Sequence, residues 1–176
     1  MKIRSYVIII PARFNSTRLP GKPLIKLKGL TILERTYNQC IKALPKKNVF
    51  VATDSELIKN FCIKNSINFI MTSKSCLTGT DRVAEAAKKI QAKYYVNIQG
   101  DEPFFPKIDI KKLIQTSKKY PQSVINGFTQ IKQKKLYFSP HIPKVVFNDN
   151  EDLIYMSRSP IPGNKKRFIQ KLGDKF

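Results

Sequence analysis

The run Tyr6-Val-Ile-Ile-Ile10, followed at once by Pro11-Ala-Arg-Phe-Asn-Ser-Thr-Arg-Leu-Pro-Gly-Lys-Pro-Leu24, decides how the chain folds. Consecutive apolar residues with no polar alternation predict a parallel strand buried on both faces. The chain leaves that strand directly into a segment carrying Arg13, Arg18 and Lys22. Gly21 and the prolines at 11, 20 and 23 shape its backbone. Three cations on a stiffened loop at a strand's carboxyl end suit a polyphosphate, since arginine offers a planar fork to phosphate oxygens and lysine a point charge. The stretch is neither a Walker A sequence nor the glycine fingerprint of dinucleotide-binding folds.

Working outward, strand and helix patterns alternate. Thr31-Ile-Leu-Glu34 reads as a capping box. Ile32, Leu33, Tyr37, Cys40, Ile41 and Leu44 mark one helical face, and Pro45 follows its end. Val49–Ala52 reads as a strand, and Ser55–Lys64 as a helix with Leu57, Ile58, Phe61 and Cys62 inward. Phe69–Met71 is a third strand. Thr80 is expected to cap a helix carrying Val83, Ala84, Ala87 and Ile90. Tyr94–Ile98 is the next strand and Ile108–Tyr120 the next helix. Val124–Ile131, Lys144–Asn148 and Leu153–Met156 complete the expected strands. The pattern predicts an α/β fold, a mostly parallel doubly wound sheet with helices on both faces, in a single domain over residues 1–176. Ligands of such sheets bind beyond the strands' carboxyl ends, where strand order reverses. If Tyr6–Ile10 and Tyr94–Ile98 are neighbours there, Arg13 and Lys22 face Asp101 across the crevice.

Composition narrows the function. Apolar residues make up 41% of 176, enough for a sizeable core. No apolar run has the length to span a bilayer. The opening residues lead into a strand without a small-residue cleavage site, so a cytoplasmic location is expected. The formal charge of +21 comes mostly from lysines spread along the chain. No sequence signature of a nucleic-acid module accompanies it, so a solvated basic surface that speeds encounter with anionic substrates is preferred to a specific nucleic-acid interface. Cys40, Cys62 and Cys76 lack metal-ligand spacing, and the first two fall in apolar helical patterns as reduced core thiols.

Pro11–Leu24 is similar to the signature of the sugar-acid cytidylyltransferases. Val51-Ala-Thr-Asp54, Thr78-Gly-Thr-Asp-Arg-Val-Ala-Glu85, Val96-Asn-Ile-Gln-Gly-Asp-Glu-Pro103, Lys144-Val-Val146 and Tyr155-Met-Ser-Arg-Ser-Pro-Ile-Pro162 agree in order and spacing. The likeness is to the 3-deoxy-manno-octulosonate cytidylyltransferase (CMP-KDO synthetase) family and spans nearly the whole chain. It implies a Rossmann-like fold of the nucleotide-diphospho-sugar transferase type. The implied activity is transfer of CMP from CTP to a sugar acid with release of pyrophosphate, in lipopolysaccharide synthesis. Members of that family continue well past the position of Phe176. The resemblance implies that the later portion supplies a second metal-binding aspartate, much of the sugar-acid pocket and most of a homodimer contact. A second reading is therefore an inactive or incomplete nucleotide-binding relative that needs a partner segment.

The resemblance assigns roles residue by residue. Arg13 and Lys22 contact the triphosphate, with backbone near Pro11 and Ala12 against the nucleotide. Arg18 either joins them or braces the loop. Asp101 holds Mg²⁺, for which a carboxylate is a suitable hard ligand. Gln99 lies near the sugar acid and the nucleotide. Thr78, Gly79 and Thr80 recognise cytosine at a helix start, where amides are free. Read from the residues alone, Asp81 is expected to complement the helix dipole and Arg82 to pair internally. Arg158 either holds the sugar carboxylate or makes a surface salt bridge.

Overall fold

The computed structural model describes residues 3–15 and 19–161. Strand β1 (Arg4–Pro11) lies inside a four-stranded sheet. Val7, Ile8, Ile9 and Ile10 are fully buried. A hairpin of two short strands, β2 (Lys26–Leu27) and β3 (Leu30–Thr31), leads into α1 (Ile32–Ile41). Then come β4 (Val49–Thr53), α2 (Glu56–Lys64), β5 (Phe69–Met71), α3 (Gly79–Ala87), β6 (Ala92–Asn97) and α4 (Lys107–Lys119). The sheet order is β5-β4-β1-β6, all parallel. β1 pairs Ile8 with Val49 on one side and Ile8 with Val96 on the other. The order thus reverses between β1 and β6, as the sequence predicts.

Alternation along β1 assigns the two layers. Ile8 and Ile10 pack with Leu33, Tyr37 and Cys40 of α1, Ile58 and Cys62 of α2, and Ile110 of α4. Val7 and Ile9 pack with Val83, Ala86 and Ile90 on the α3 side. A fully buried isoleucine contributes about 1.5–3 kcal/mol relative to exposure, so β1 anchors both cores. Burial pushes the Cys40 and Cys62 thiols up to about 12, which keeps them protonated core groups.

Local chemistry sets the helix starts. Thr31 caps α1 in a capping box with Glu34, as expected. The cap of α3 is Thr78 and not Thr80. The Thr78 hydroxyl accepts from the Asp81 amide at 3.1 Å, and the Asp81 carboxylate accepts from the Thr78 amide at 2.9 Å. Thr80 stands inside the first turn, and Asp81 closes a second capping box. Two further expectations fail. Leu57 is exposed, because the buried stripe of α2 runs through Ile58 and Cys62. Val124–Ile131 forms no strand; Val124 is 89% exposed and no neighbouring strand pairs with the segment. Residues with β propensity need a partner strand or a covering face to hold an extended ladder.

The chain packs as two compact units, Met1–Ile125 and Asn126–Phe176. The second holds the short helix α5 (Lys134–Phe138) and an antiparallel hairpin of β7 (Lys144–Phe147) and β8 (Leu153–Ser157). Its buried Lys144 donates to the carbonyls of Ser139, Ile142 and Arg158 at 2.6–2.9 Å. Desolvation, then the Arg158 charge, pushes that lysine below its usual value. No helix among the described residues is long and apolar enough to cross a membrane.

Candidate functional site

The carboxyl end of β1 meets three other segments. Ala12 continues the ladder, its amide donating to Ala52 O at 2.9 Å. The Gly21 amide donates to Phe14 O at 2.8 Å. Gly21 has φ +69°, and a Cβ there would sit 3.2 Å from the Phe14 ring. Both the left-handed backbone and the close ring require glycine. A 3-10 turn, Lys22–Leu24, follows with Pro23 buried; the Leu24 amide closes on Gly21 O at 2.8 Å. Lys22 is thus presented from a pinned turn.

The second segment follows β6. The Ile98 amide donates to Ile9 O, and the Glu102 amide closes a turn on Gln99 O at 3.2 Å. Gly100 is buried inside that turn, and a Cβ on it would lie 2.7 Å from the Pro11 carbonyl oxygen. Only glycine lets the two strand ends approach this closely. Gly100→Ala is expected to lose about 1–3 kcal/mol by overpacking against backbone that has no free rotamer to give. Chemical denaturation measures this, and an unchanged midpoint contradicts it.

These constraints bring Lys22 Nζ to 2.6 Å from Asp101 Oδ2. Both side chains stay accessible, at 38% and 49%. An ion pair this open has little value for stability, because water screens it and the side chains lose freedom in forming it. Its position suits ligand chemistry better: one cation and one carboxylate exposed together at the switch point of the sheet. Glu102, beside it, is held above the usual carboxylate range by desolvation and, to a smaller degree, by the Asp101 charge.

The third segment is the start of α3. A Cβ on Gly79 would meet Gln99 Oε1 at 3.1 Å and Pro11 Cγ at 3.4 Å, so Pro11, Gly79 and Gln99 converge. Gln99 Nε2 donates to Asn97 Oδ1 at 3.1 Å. Arg13 Nη1 donates to Leu77 O at 3.5 Å, which directs it to the lead-in to α3. Glu85 steadies that lead-in by accepting from the Ser73 amide at 2.9 Å and Cys76 Sγ at 3.1 Å. These bonds hold its carboxyl below the usual range, the Ser73 amide first. Arg82 pairs internally as expected: Nη2 lies 3.1 Å from Asp54 Oδ2, and Nη1 donates to the Thr72 hydroxyl.

The structure therefore gathers Pro11, Ala12, Lys22, Gly79, Gln99 and Asp101 at one crevice, with Thr78 and Thr80 in the first turn of α3. Arg18 lies outside the described residues. Arg158 belongs to the second unit, where its Nη1 donates to the carbonyls of Pro140 and His141. Sequence reasoning gave no role to Thr36, which donates from α1 to the Gly100 carbonyl. The available signal was a polar residue within the buried stripe Ile32-Leu33-Tyr37-Cys40.

Residues 7–174 of the chain match the family model described as Cytidylyltransferase. The chain belongs to the cytidylyltransferase family. It is accordingly a nucleotidyltransferase by class. Among this family's members it is 38% identical to the 3-deoxy-manno-octulosonate cytidylyltransferase of Thermodesulfovibrio yellowstonii, over 93% of this chain and 68% of that protein. It is 34% identical to the protein of the same name from Escherichia coli, over 95% and 70%. The solved structure of a CMP:2-keto-3-deoxy-manno-octonic acid synthetase complexed with CTP superposes with a TM-score of 0.80 at 33% identity, over 92% of this cytidylyltransferase chain and 67% of that one. This chain thus spans about two thirds of the length of those relatives.

Among the described residues, no three His, Cys, Asp or Glu side chains gather as a metal site. Magnesium does not need such a cage. It binds through one or two carboxylates, with the remaining positions filled by substrate phosphates and water. The accessible Asp101 carboxylate beside the Lys22 ammonium fits that demand.

Proposed function

We propose that this chain transfers CMP from CTP to 3-deoxy-manno-octulosonate, releasing pyrophosphate, as a cytoplasmic step in lipopolysaccharide synthesis. The observation that carries the reading is the 2.6 Å approach of Lys22 to Asp101 beyond the ends of β1 and β6. The names of the relatives and the CTP-bound neighbour support the choice of nucleotide and sugar acid.

The reaction forms a bond from the anomeric oxygen of the sugar acid to the α-phosphorus while the α–β anhydride bond breaks. The hydroxyl proton passes to solvent, and pyrophosphate leaves with the bonding electrons. Charge grows on the leaving oxygens, and Lys22 and Arg13 would neutralise it. Asp101 would hold Mg²⁺, which when bound supplies Lewis-acid charge at the phosphates. Pro11, Ala12 and the first turn of α3, through Thr78, Gly79 and Thr80, would hold the nucleoside. Gln99 would orient the nucleotide and the sugar acid. Arg158 would take the sugar carboxylate through a guanidinium fork.

The test is pyrophosphate release from CTP by the intact chain with 3-deoxy-manno-octulosonate and Mg²⁺. Release dependent on the sugar acid is expected. CTP binding without release would reduce the reading to a nucleotide-holding relative, and absence of CTP binding would overturn both.

A further inference from the structure

Gly100 is buried, so its carbonyl needs a hydrogen-bond partner inside the protein. Among the described residues that partner is the hydroxyl of Thr36, at 3.3 Å. Thr36 is itself fully buried, in the second turn of α1. A threonine in a helix ordinarily gives its proton to the carbonyl four residues back. Here that acceptor, Ile32 O, lies at 3.1 Å, and the hydroxyl is shared between it and Gly100 O.

The location gives this sharing a consequence. Gly100 is caught between two bodies: the Pro11 carbonyl occupies the space a Cβ would take, and Thr36 holds its oxygen. The next residue is Asp101. The same helix also carries the turn that presents Lys22, since the Ile32 amide donates back to Ile25 O and Leu24 packs into the core beside Leu33. One helix therefore sets the height of both members of the Lys22–Asp101 pair.

We propose that Thr36 is a positioning residue for the site: its hydroxyl ties the Gly100 carbonyl to α1 and so fixes the Asp101 carboxylate opposite Lys22. The consequence for nucleotide rests on the function proposed above; the positioning itself does not. Thr36→Val keeps the shape and removes the hydroxyl, Thr36→Ala removes it with less steric demand, and Thr36→Ser retains it.

Two readouts test the assignment. The Glu102 amide, which closes the turn on Gln99 O, is expected to exchange with solvent about tenfold faster in Thr36→Val and Thr36→Ala. The Ile98 amide, bonded to Ile9 O in the sheet, is expected to keep its rate as the internal control. Thr36→Ser is expected to keep both. In parallel, titration of CTP with and without Mg²⁺ is expected to show that the hydroxyl-free variants lose about fivefold of the Mg²⁺-dependent gain in affinity. Unchanged Glu102 exchange in either hydroxyl-free variant, or loss in Thr36→Ser as large as in Thr36→Val, overturns the assignment. A wild-type chain that shows no Mg²⁺-dependent CTP binding overturns the proposed function instead, and the exchange rates still decide the role of Thr36.

Discussion

Lys22→Met is expected to lower kcat/KM for pyrophosphate release by about 10²–10³-fold, the loss measured when one preorganised donor to a developing anion is removed. Lys22 leaves a turn closed by Gly21 O and capped by a buried proline, so its ammonium is placed before substrate arrives. The methionine keeps the length and apolar stem of the lysine, so lost charge is isolated from lost packing. Its neighbour Arg13 is anchored toward Leu77 O and starts from a different place in the crevice. Compensation by Arg13 is therefore expected to be small. Lys22→Arg is expected to recover part of the rate, because a guanidinium retains the charge but spreads it over a larger plane. A Lys22→Met rate within threefold of wild type contradicts the assignment.

Asp54→Asn is expected to destabilise the first unit by about 3–5 kcal/mol, the usual cost of leaving a buried charge without its partner. The Arg82 guanidinium is 2% exposed and spans Asp54 at the end of β4, the Thr72 hydroxyl and Ser73 O. With the carboxylate gone, nothing in that contact set opposes the positive charge. The corresponding fall in Tm is roughly 10 °C for a chain of this size. Replacing both partners, Asp54→Leu with Arg82→Met, is expected to recover most of the loss, because apolar packing often equals a buried ion pair in net stability. Thermal denaturation of the two variants checks this. A single variant within 1 °C of wild type contradicts it.

Particular residues show why some of this was legible in the sequence. Val7–Ile10 announce a central strand because burial on both faces leaves no polar alternation to confuse the reading. Once β1 and β6 are neighbours, the switch-point rule by itself brings Lys22 to Asp101. The cap of α3 was harder. Thr78 and Thr80 are both competent hydroxyl caps, and the choice depends on Asp81 reaching back and on Gly79 fitting beside Pro11 and Gln99. That contact joins residues 68 positions apart, which no local pattern carries. Leu57 is apolar but lies off the stripe set by Ile58 and Cys62. Val124–Ile131 has strand composition without a strand partner. Thr36 interrupts an apolar face, and its partner is a glycine carbonyl 64 residues later.

The proposed function requires Asp101 and Lys22 to act together on a magnesium-bearing nucleotide. Isothermal titration of CTP into wild type and Asp101→Asn, each with Mg²⁺ and with chelator, measures that directly. Mg²⁺ is expected to tighten CTP binding to wild type by about tenfold, near the middle of the usual range for coupled ligands. In Asp101→Asn the metal effect is expected to vanish. Metal-free CTP is expected to bind the variant more tightly than wild type, because Lys22 no longer spends its charge on a carboxylate. An equal response to Mg²⁺ in the two proteins would place the metal elsewhere and contradict the account.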